Sequence, residues 1–173
     1  MKLSHSLLTL SLACLALAPQ LAQADGAKKG PHSVALMLGP VFGISDDSGK
    51  DAQFDLAEVY LYHLSGEPSG LHVGLEVQEG GGKYFHLSAG ARAGYDLQIA
   101  QLPLYITPVA RVGFSVIDVI TTEAYFNLCL GAEAKYELPM GIALILRPLA
   151  IDMSFGKATV IGYDLLAGAS YTF

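Results

Sequence analysis

Between Phe85 and Leu97 every second residue is apolar: Phe85, Leu87, Ala89, Ala91, Ala93, Tyr95 and Leu97 alternate with His86, Ser88, Gly90, Arg92, Gly94 and Asp96. Recurrence at a period of two puts one set of side chains on one face of a β-strand, whereas a helix would need recurrence at three and four. The pattern returns further on, where Phe126, Leu128, Leu130, Ala132, Ala134, Tyr136 and Leu138 oppose Asn127, Cys129, Gly131, Glu133, Lys135 and Glu137. Leu71, Val73, Leu75 and Val77 stand against His72, Gly74, Glu76 and Gln78, and Leu104, Ile106, Ala110, Val112, Phe114 and Val116 against Thr107, Arg111, Gly113 and Ser115. One face is uncharged each time. Clusters of Gly, Pro, Asp and Ser divide the chain into eight such segments: 33–44, 54–64, 70–79, 84–97, 102–117, 124–138, 141–155 and 160–173.

Alternation alone also suits a soluble sheet with one wet face. The aromatic residues decide between the two. Phe85 and Tyr95, Phe126 and Tyr136, and Tyr163 and Phe173 each lie ten residues apart on the apolar face. Ten residues at about 3.3 Å rise, tilted by about 40°, span roughly 25 Å, the height of the apolar band between the aromatic girdles of an outer-membrane barrel. The composition agrees, with 52% hydrophobic and only 15% charged residues. Beyond the first two dozen residues no apolar run is long enough for a spanning helix, the best candidate, "GIALILRPLAI", being broken by Arg147 and Pro148. A soluble lipocalin-like barrel would need polar residues on the face holding Leu128, Leu130 and Ala132. The expected fold is an all-β, closed, eight-stranded antiparallel up-and-down transmembrane β-barrel.

The start of the chain reads as an export signal. Lys2 precedes an apolar run from Leu7 to Ala18, Pro19 ends it, and Ala22-Gln23-Ala24 forms the small-x-small pattern of a cleavage site. The expected organisation is a cleaved signal at 1–24, a short periplasmic segment at 25–32 and the barrel at 33–173. Of the two cysteines, Cys14 lies in the signal and Cys129 remains, so no internal disulfide can form. An even strand count puts both ends of the barrel on one side. The connections 45–53, 80–83 and 156–159 are then expected outside the cell, and 65–69, 98–101 and Pro139-Met140 in the periplasm. Segment 54–64 sorts worst, because Asp55, Glu58, Tyr60, Tyr62 and His63 do not divide onto two faces. In 141–155 a bulge at Pro148 is expected to return Leu149, Ile151, Met153 and Phe155 to the outer face and to leave Arg147, Asp152 and Ser154 inside.

With the apolar face outward, the other face fills the lumen. That assigns Glu58, Glu76, His86, Arg92, Asp96, Arg111, Glu133, Lys135, Glu137, Arg147 and Asp164 to an interior charge network. Eight strands enclose a space just wide enough for side chains, where an unpaired charge is costly, so mutual pairing is the expected arrangement. A narrow gated passage is the alternative. No metal site or cofactor is expected, since one thiol on a strand makes no zinc site and Gly80-Gly81-Gly82 joins two strands instead of opening a helix. The chain carries 10 Lys and Arg against 16 Asp and Glu, and this acidity argues against nucleic acid as partner.

The alternating residues Leu165, Ala167, Ala169, Tyr171 and Phe173 resemble the C-terminal signature of bacterial outer-membrane β-barrels, which end on an aromatic residue. With the strand count and length, the chain is similar to small barrels of the OmpA and OmpX kind. That resemblance implies pairing of the last strand with the first, contact with outer-membrane lipid and lipopolysaccharide, and recognition by the barrel-assembly machinery. His86 and Ser88 are also similar to the His-x-Ser motif of the eight-stranded lipid A deacylases. Ala89 stands where that family has Asn, no acid follows at the family's distance, and parity turns both side chains into the lumen. A structural pairing of His86 with Glu76 across a tight hairpin is expected instead, and no catalytic residue is assigned.

Overall fold

The computed structural model describes residues 30–44, 52–65, 70–82, 85–118 and 122–173. The expected signal at 1–24, and 25–29 of the segment after it, lie outside the described residues. Eight strands follow in order: β1 (His32–Gly43), β2 (Ala52–His63), β3 (Gly70–Gly81), β4 (Phe85–Gln98), β5 (Leu104–Asp118), β6 (Thr122–Glu137), β7 (Ile142–Phe155) and β8 (Thr159–Thr172). Each pairs antiparallel with its neighbours in sequence, and β8 returns to β1 to close the barrel. The seam is continued by His32 N–H donating to the Phe173 carbonyl at 3.2 Å and Phe173 N–H donating to His32 at 2.8 Å. Among the described residues no helix is long and apolar enough to cross a membrane.

One end of the barrel, the terminal end, holds His32 and Phe173. The other, the loop end, carries four connections where the sequence pattern predicts three. The fourth joins Asp118 to Thr122, and its residues 119–121 lie outside the described ones. At the terminal end β6 turns into β7 through a 3₁₀ turn, Pro139–Gly141, with Met140 and Gly141 at φ 68° and 79°.

Prolines mark the irregularities of the ladder, because each lacks a donor. Pairing of β1 with β8 skips from Leu38 to Val41 around Pro40, and pairing of β4 with β5 skips around Pro108, without a change of register. At Pro148 the register of β7 shifts against both β6 and β8, which is the bulge expected there. Arg147 and Ala150 are both buried, so the extra residue resets the parity and turns Asp152 and Ser154 inward. The Tyr163 hydroxyl on β8 donates to the Pro148 carbonyl and satisfies an acceptor that the broken ladder would leave bare.

Strand β2 corrects the sequence reading. Its inward residues are Gln53, Asp55, Ala57, Val59, Leu61 and His63, so Glu58, assigned to the lumen, shares the outer face with Phe54, Leu56, Tyr60 and Tyr62. The misreading has a physical origin, since the middle of β1 and β2 is largely apolar on both faces and alternation carries little information there. Their inner face joins β7 and β8 in an apolar cluster of Ala35, Met37, Ala57, Val59, Leu61, Ile145 and Leu166. One side of the lumen wall is therefore hydrocarbon.

Candidate functional site

The polar half of the lumen is built from β3 to β6 and β7 beyond its middle, with Glu76 of β3 at the centre. Its carboxylate accepts from three guanidinium groups: Arg92 Nη1 at 2.7 Å, Arg111 Nη1 at 3.0 Å, and Arg147 Nη1 and Nη2 at 2.9 and 2.8 Å. Glu133 accepts from Arg92 Nη2 at 2.6 Å and Arg147 Nε at 3.0 Å. Arg111 also donates to Gln78 Oε1 at 3.0 Å, to Asn127 Oδ1 at 3.1 Å and to Asp152. Three guanidinium groups thus face three carboxylates, those of Glu76, Glu133 and Asp152. Such a cluster is tolerable in a low-dielectric interior because its charges balance and most of its donors and acceptors are matched. Gly94 contributes by absence: a Cβ there would strike the imidazole of His72.

A second group lies toward the terminal end. Asp96 accepts from Thr107 Oγ1 at 2.5 Å and from Lys135, with His72 Nε2 at 3.7 Å. Lys135 lies 3.9 Å from Glu137 and 4.9 Å from the centre of the Tyr105 ring. His63 Nε2 is 2.8 Å from Ser33 Oγ, which lies 2.8 Å from Thr172 Oγ1. A third group lies toward the loop end. There Gln78 Nε2 donates to Asp55 Oδ2 at 2.7 Å and to Asp164 Oδ2 at 3.3 Å, and His86 Nδ1 is 3.6 Å from Asp55. Cavities of about 20 Å³ and 40 Å³ lie at the terminal and loop ends, and the arginine–glutamate cluster stands between them.

Of the residues assigned to the lumen, Glu76, Arg92, Arg111, Glu133 and Arg147 meet in the central cluster, Asp96, Lys135 and Glu137 in the terminal group, and Asp164 and His86 in the loop group. Glu58 joins none of them. The expected pairing of His86 with Glu76 is also corrected. Register sets His86 opposite Gly80 and Glu76 opposite Gly90, because β3 runs on to Gly81, and the acid beside His86 is Asp55. Ser88 Oγ has no hydrogen-bond partner, so no serine–histidine relay is formed. Sequence reasoning does not find Asp55, Gln78, Asn127, Thr107 and His72 as members of these groups. Inward parity is the signal that marks Gln78, Asn127, Thr107 and His72, but a search for charges passes over neutral side chains.

The outer face carries the large apolar side chains. Phe42, Phe54, Phe85, Phe114, Phe126 and Phe155 are exposed toward the loop end, and Tyr60, Tyr62, Tyr95 and Tyr136 toward the terminal end. Tyr163 and Phe173 are half-exposed. Phe173 stacks with Tyr171 and His32, at ring separations of 6.1 and 6.0 Å. Among the described residues Glu58 and Glu79, both half-buried, interrupt this apolar surface.

A charge-paired polar interior inside an apolar wall reverses the polarity of a water-soluble barrel. Fold and site together define a class: the small eight-stranded up-and-down barrel seen in outer-membrane proteins. Among solved structures the chain is similar to Neisserial surface protein A, with 16% identity and a TM-score of 0.67 over 85% of this chain and 100% of that one. It is also similar to the N-terminal β-barrel domain of Pseudomonas aeruginosa OprF, with 12% identity and a TM-score of 0.57 over 84% and 100%. A major outer membrane protein from Thermus thermophilus gives 17% identity and a TM-score of 0.52 over 82% and 99%. At these identities the likeness establishes the fold. No family model and no curated protein matches the chain.

Proposed function

We propose that this chain is an integral outer-membrane barrel whose polar lumen is plugged by its own side chains, with a structural or interaction role in the membrane instead of catalysis. The carrying observation is the three-arginine, three-carboxylate cluster across the middle of the lumen, enclosed by a wall whose outward side chains are apolar. In this reading residues 1–24 are a cleaved export signal and 25–32 a short periplasmic segment. The terminal end faces the periplasm and the loop end the cell exterior. The Phe and Tyr rows, including Phe85, Tyr95, Phe126, Tyr136, Tyr163 and Phe173, form the interfacial girdles against lipid and lipopolysaccharide. The apolar face of β8, from Leu165 through Ala167, Ala169 and Tyr171 to Phe173, is what the barrel-assembly machinery reads during insertion.

The test is migration in detergent gels with and without boiling, together with membrane fractionation. A barrel that needs detergent and shifts on boiling supports the proposal, and a protein that stays soluble and unshifted without detergent refutes it. The two end cavities favour a second reading, a narrow gated channel for small solutes, which predicts unitary conductance in planar bilayers. A third reading, a lipid A deacylase-like enzyme, predicts loss of lipid A acyl chains on overexpression. The inward placement of His86 and Ser88 speaks against that reading, because a lipid substrate lies outside the barrel.

A further inference from the structure

At the loop end of the lumen, Cys129, Asp152 and Asp164 come from three consecutive strands, β6, β7 and β8. Cys129 is the register partner of Asp152, and the β8 partner of Asp152 is Gly162, two residues before Asp164 on the same inward face. One ligand atom from each of the three lies within 4.8 Å of the others, and all three residues are buried. The central cluster neutralises Asp152 through Arg111, but among the described residues Asp55 and Asp164 reach no Lys or Arg. They share one amide, Gln78 Nε2, and Asp164 Oδ1 has no hydrogen-bond partner although the residue is fully buried. A buried carboxylate oxygen without a hydrogen-bond partner, beside a thiol, is an open ligand position. Asp152 and Asp164 also line the cavity of about 40 Å³, which exceeds the roughly 10–15 Å³ that one water requires, so solvent can complete a coordination sphere.

We propose that Cys129, Asp152 and Asp164 bind one divalent transition-metal ion of borderline softness, Zn²⁺ being the type. The mixed donor set argues for that class. A thiolate is a poor ligand for Ca²⁺ or Mg²⁺, which take several oxygens, whereas Zn²⁺ accepts S and O donors in a four-coordinate site with water in the remaining place. Asp152 can take part while still bound by Arg111 and Asn127, because each carboxylate oxygen keeps a second lone pair. Binding removes the thiol proton of Cys129 and any proton held by the Asp164 carboxyl to solvent, and involves no change of oxidation state. The site lies inside the barrel wall and does not depend on which solvent covers the outside.

The experiment uses the refolded, metal-free barrel in detergent and Co²⁺ as the probe. The expected result is saturation at one ion per chain with a near-ultraviolet thiolate-to-cobalt band, proton release on binding, and loss of the band when Zn²⁺ displaces Co²⁺. Cys129→Ser abolishes the band, and Asp164→Asn weakens Zn²⁺ binding roughly tenfold or more. Gel mobility before boiling reports whether each variant is folded; if one is not, the wild-type band and stoichiometry decide. Absence of saturable Co²⁺ binding, absence of the band, or Mg²⁺ competing as well as Zn²⁺ would each overturn the proposal.

Discussion

Replacing Glu58 with leucine tests which solvent covers the outer wall. The row of register partners through Glu58 runs by Val77 and Ala89 to Phe114, Phe126 and Phe155 in one direction. In the other it runs by Leu36, Ala169 and Leu144 to Tyr136. Strands tilt in a barrel, so such a row climbs from one rim to the other. Glu58 therefore sits near mid-height between the aromatic rows, where a bilayer is driest. A cationic side chain at the midplane of a barrel's lipid face costs about 2–4 kcal/mol and an acidic one less, so about 1–2 kcal/mol is the expected cost of Glu58. Its Oε1 is buried without a hydrogen-bond partner, which leaves that cost unrelieved.

Glu58→Leu should accordingly stabilise the barrel in lipid vesicles by about 1–2 kcal/mol. With a urea slope of about 2 kcal/mol/M, the unfolding midpoint rises by roughly 0.5–1 M. Glu79 is the internal control. It pairs with Leu56 and Leu87, one outward step nearer the loop end, so Glu79→Leu should gain less. A midpoint that falls or stays put in Glu58→Leu, or a larger gain from Glu79→Leu, would refute the assignment of hydrocarbon to this face.

The central cluster predicts the opposite sign. Arg147→Met leaves Glu76 and Glu133 short of a counter-charge and should cost about 3–5 kcal/mol in the same urea assay. Adding Glu133→Met should recover part of that loss, because charge balance returns; an additive double variant would mean the pair is not coupled. Gly94→Leu drives a side chain into the His72 ring and should cost about 1–3 kcal/mol or prevent refolding, read from gel mobility before boiling. Tyr163→Phe removes the donor to the Pro148 carbonyl and should lower stability by about 1 kcal/mol, with amide exchange rising locally at the bulge.

Most of the fold was legible because six of the eight strands alternate strongly, and the bulge was legible because proline cannot complete a ladder. The last strands were clear for the same reason that β2 was not. On β4 and β6 the inner face is polar, so period two separates the faces. Along the middle of β1 and β2 the inner face is Ala35, Met37, Ala57, Val59 and Leu61, and the contrast disappears there. Glu58 then reads as a lumenal acid, because an outward carboxylate breaks the rule that sorts the others. The central cluster could be foreseen as a set of charges but not as a wiring scheme. Which acid meets which arginine depends on shear between strands, and the one-residue shift at Pro148 turns Asp152 inward, where it meets Arg111.

The same wiring sets the energy that separates the plugged reading from the gated one. A passage between the two cavities requires Arg147 to leave Glu76 and Glu133, and Arg92 or Arg111 to leave Glu76, since all three converge on that carboxylate. Separating one such buried pair costs about 3–5 kcal/mol, and each 1.4 kcal/mol is a factor of ten. Even a single broken pair therefore leaves the open form at roughly one molecule in a hundred to one in several thousand, and two leave far fewer. The wild-type barrel should be silent in planar bilayers, while Glu76→Ala, which removes the carboxylate on which all three guanidinium groups converge, should show brief openings if it folds. Sustained conductance from the wild type would mean that the arginines find new acidic partners as they move, and the plug would have to be redrawn as a gate.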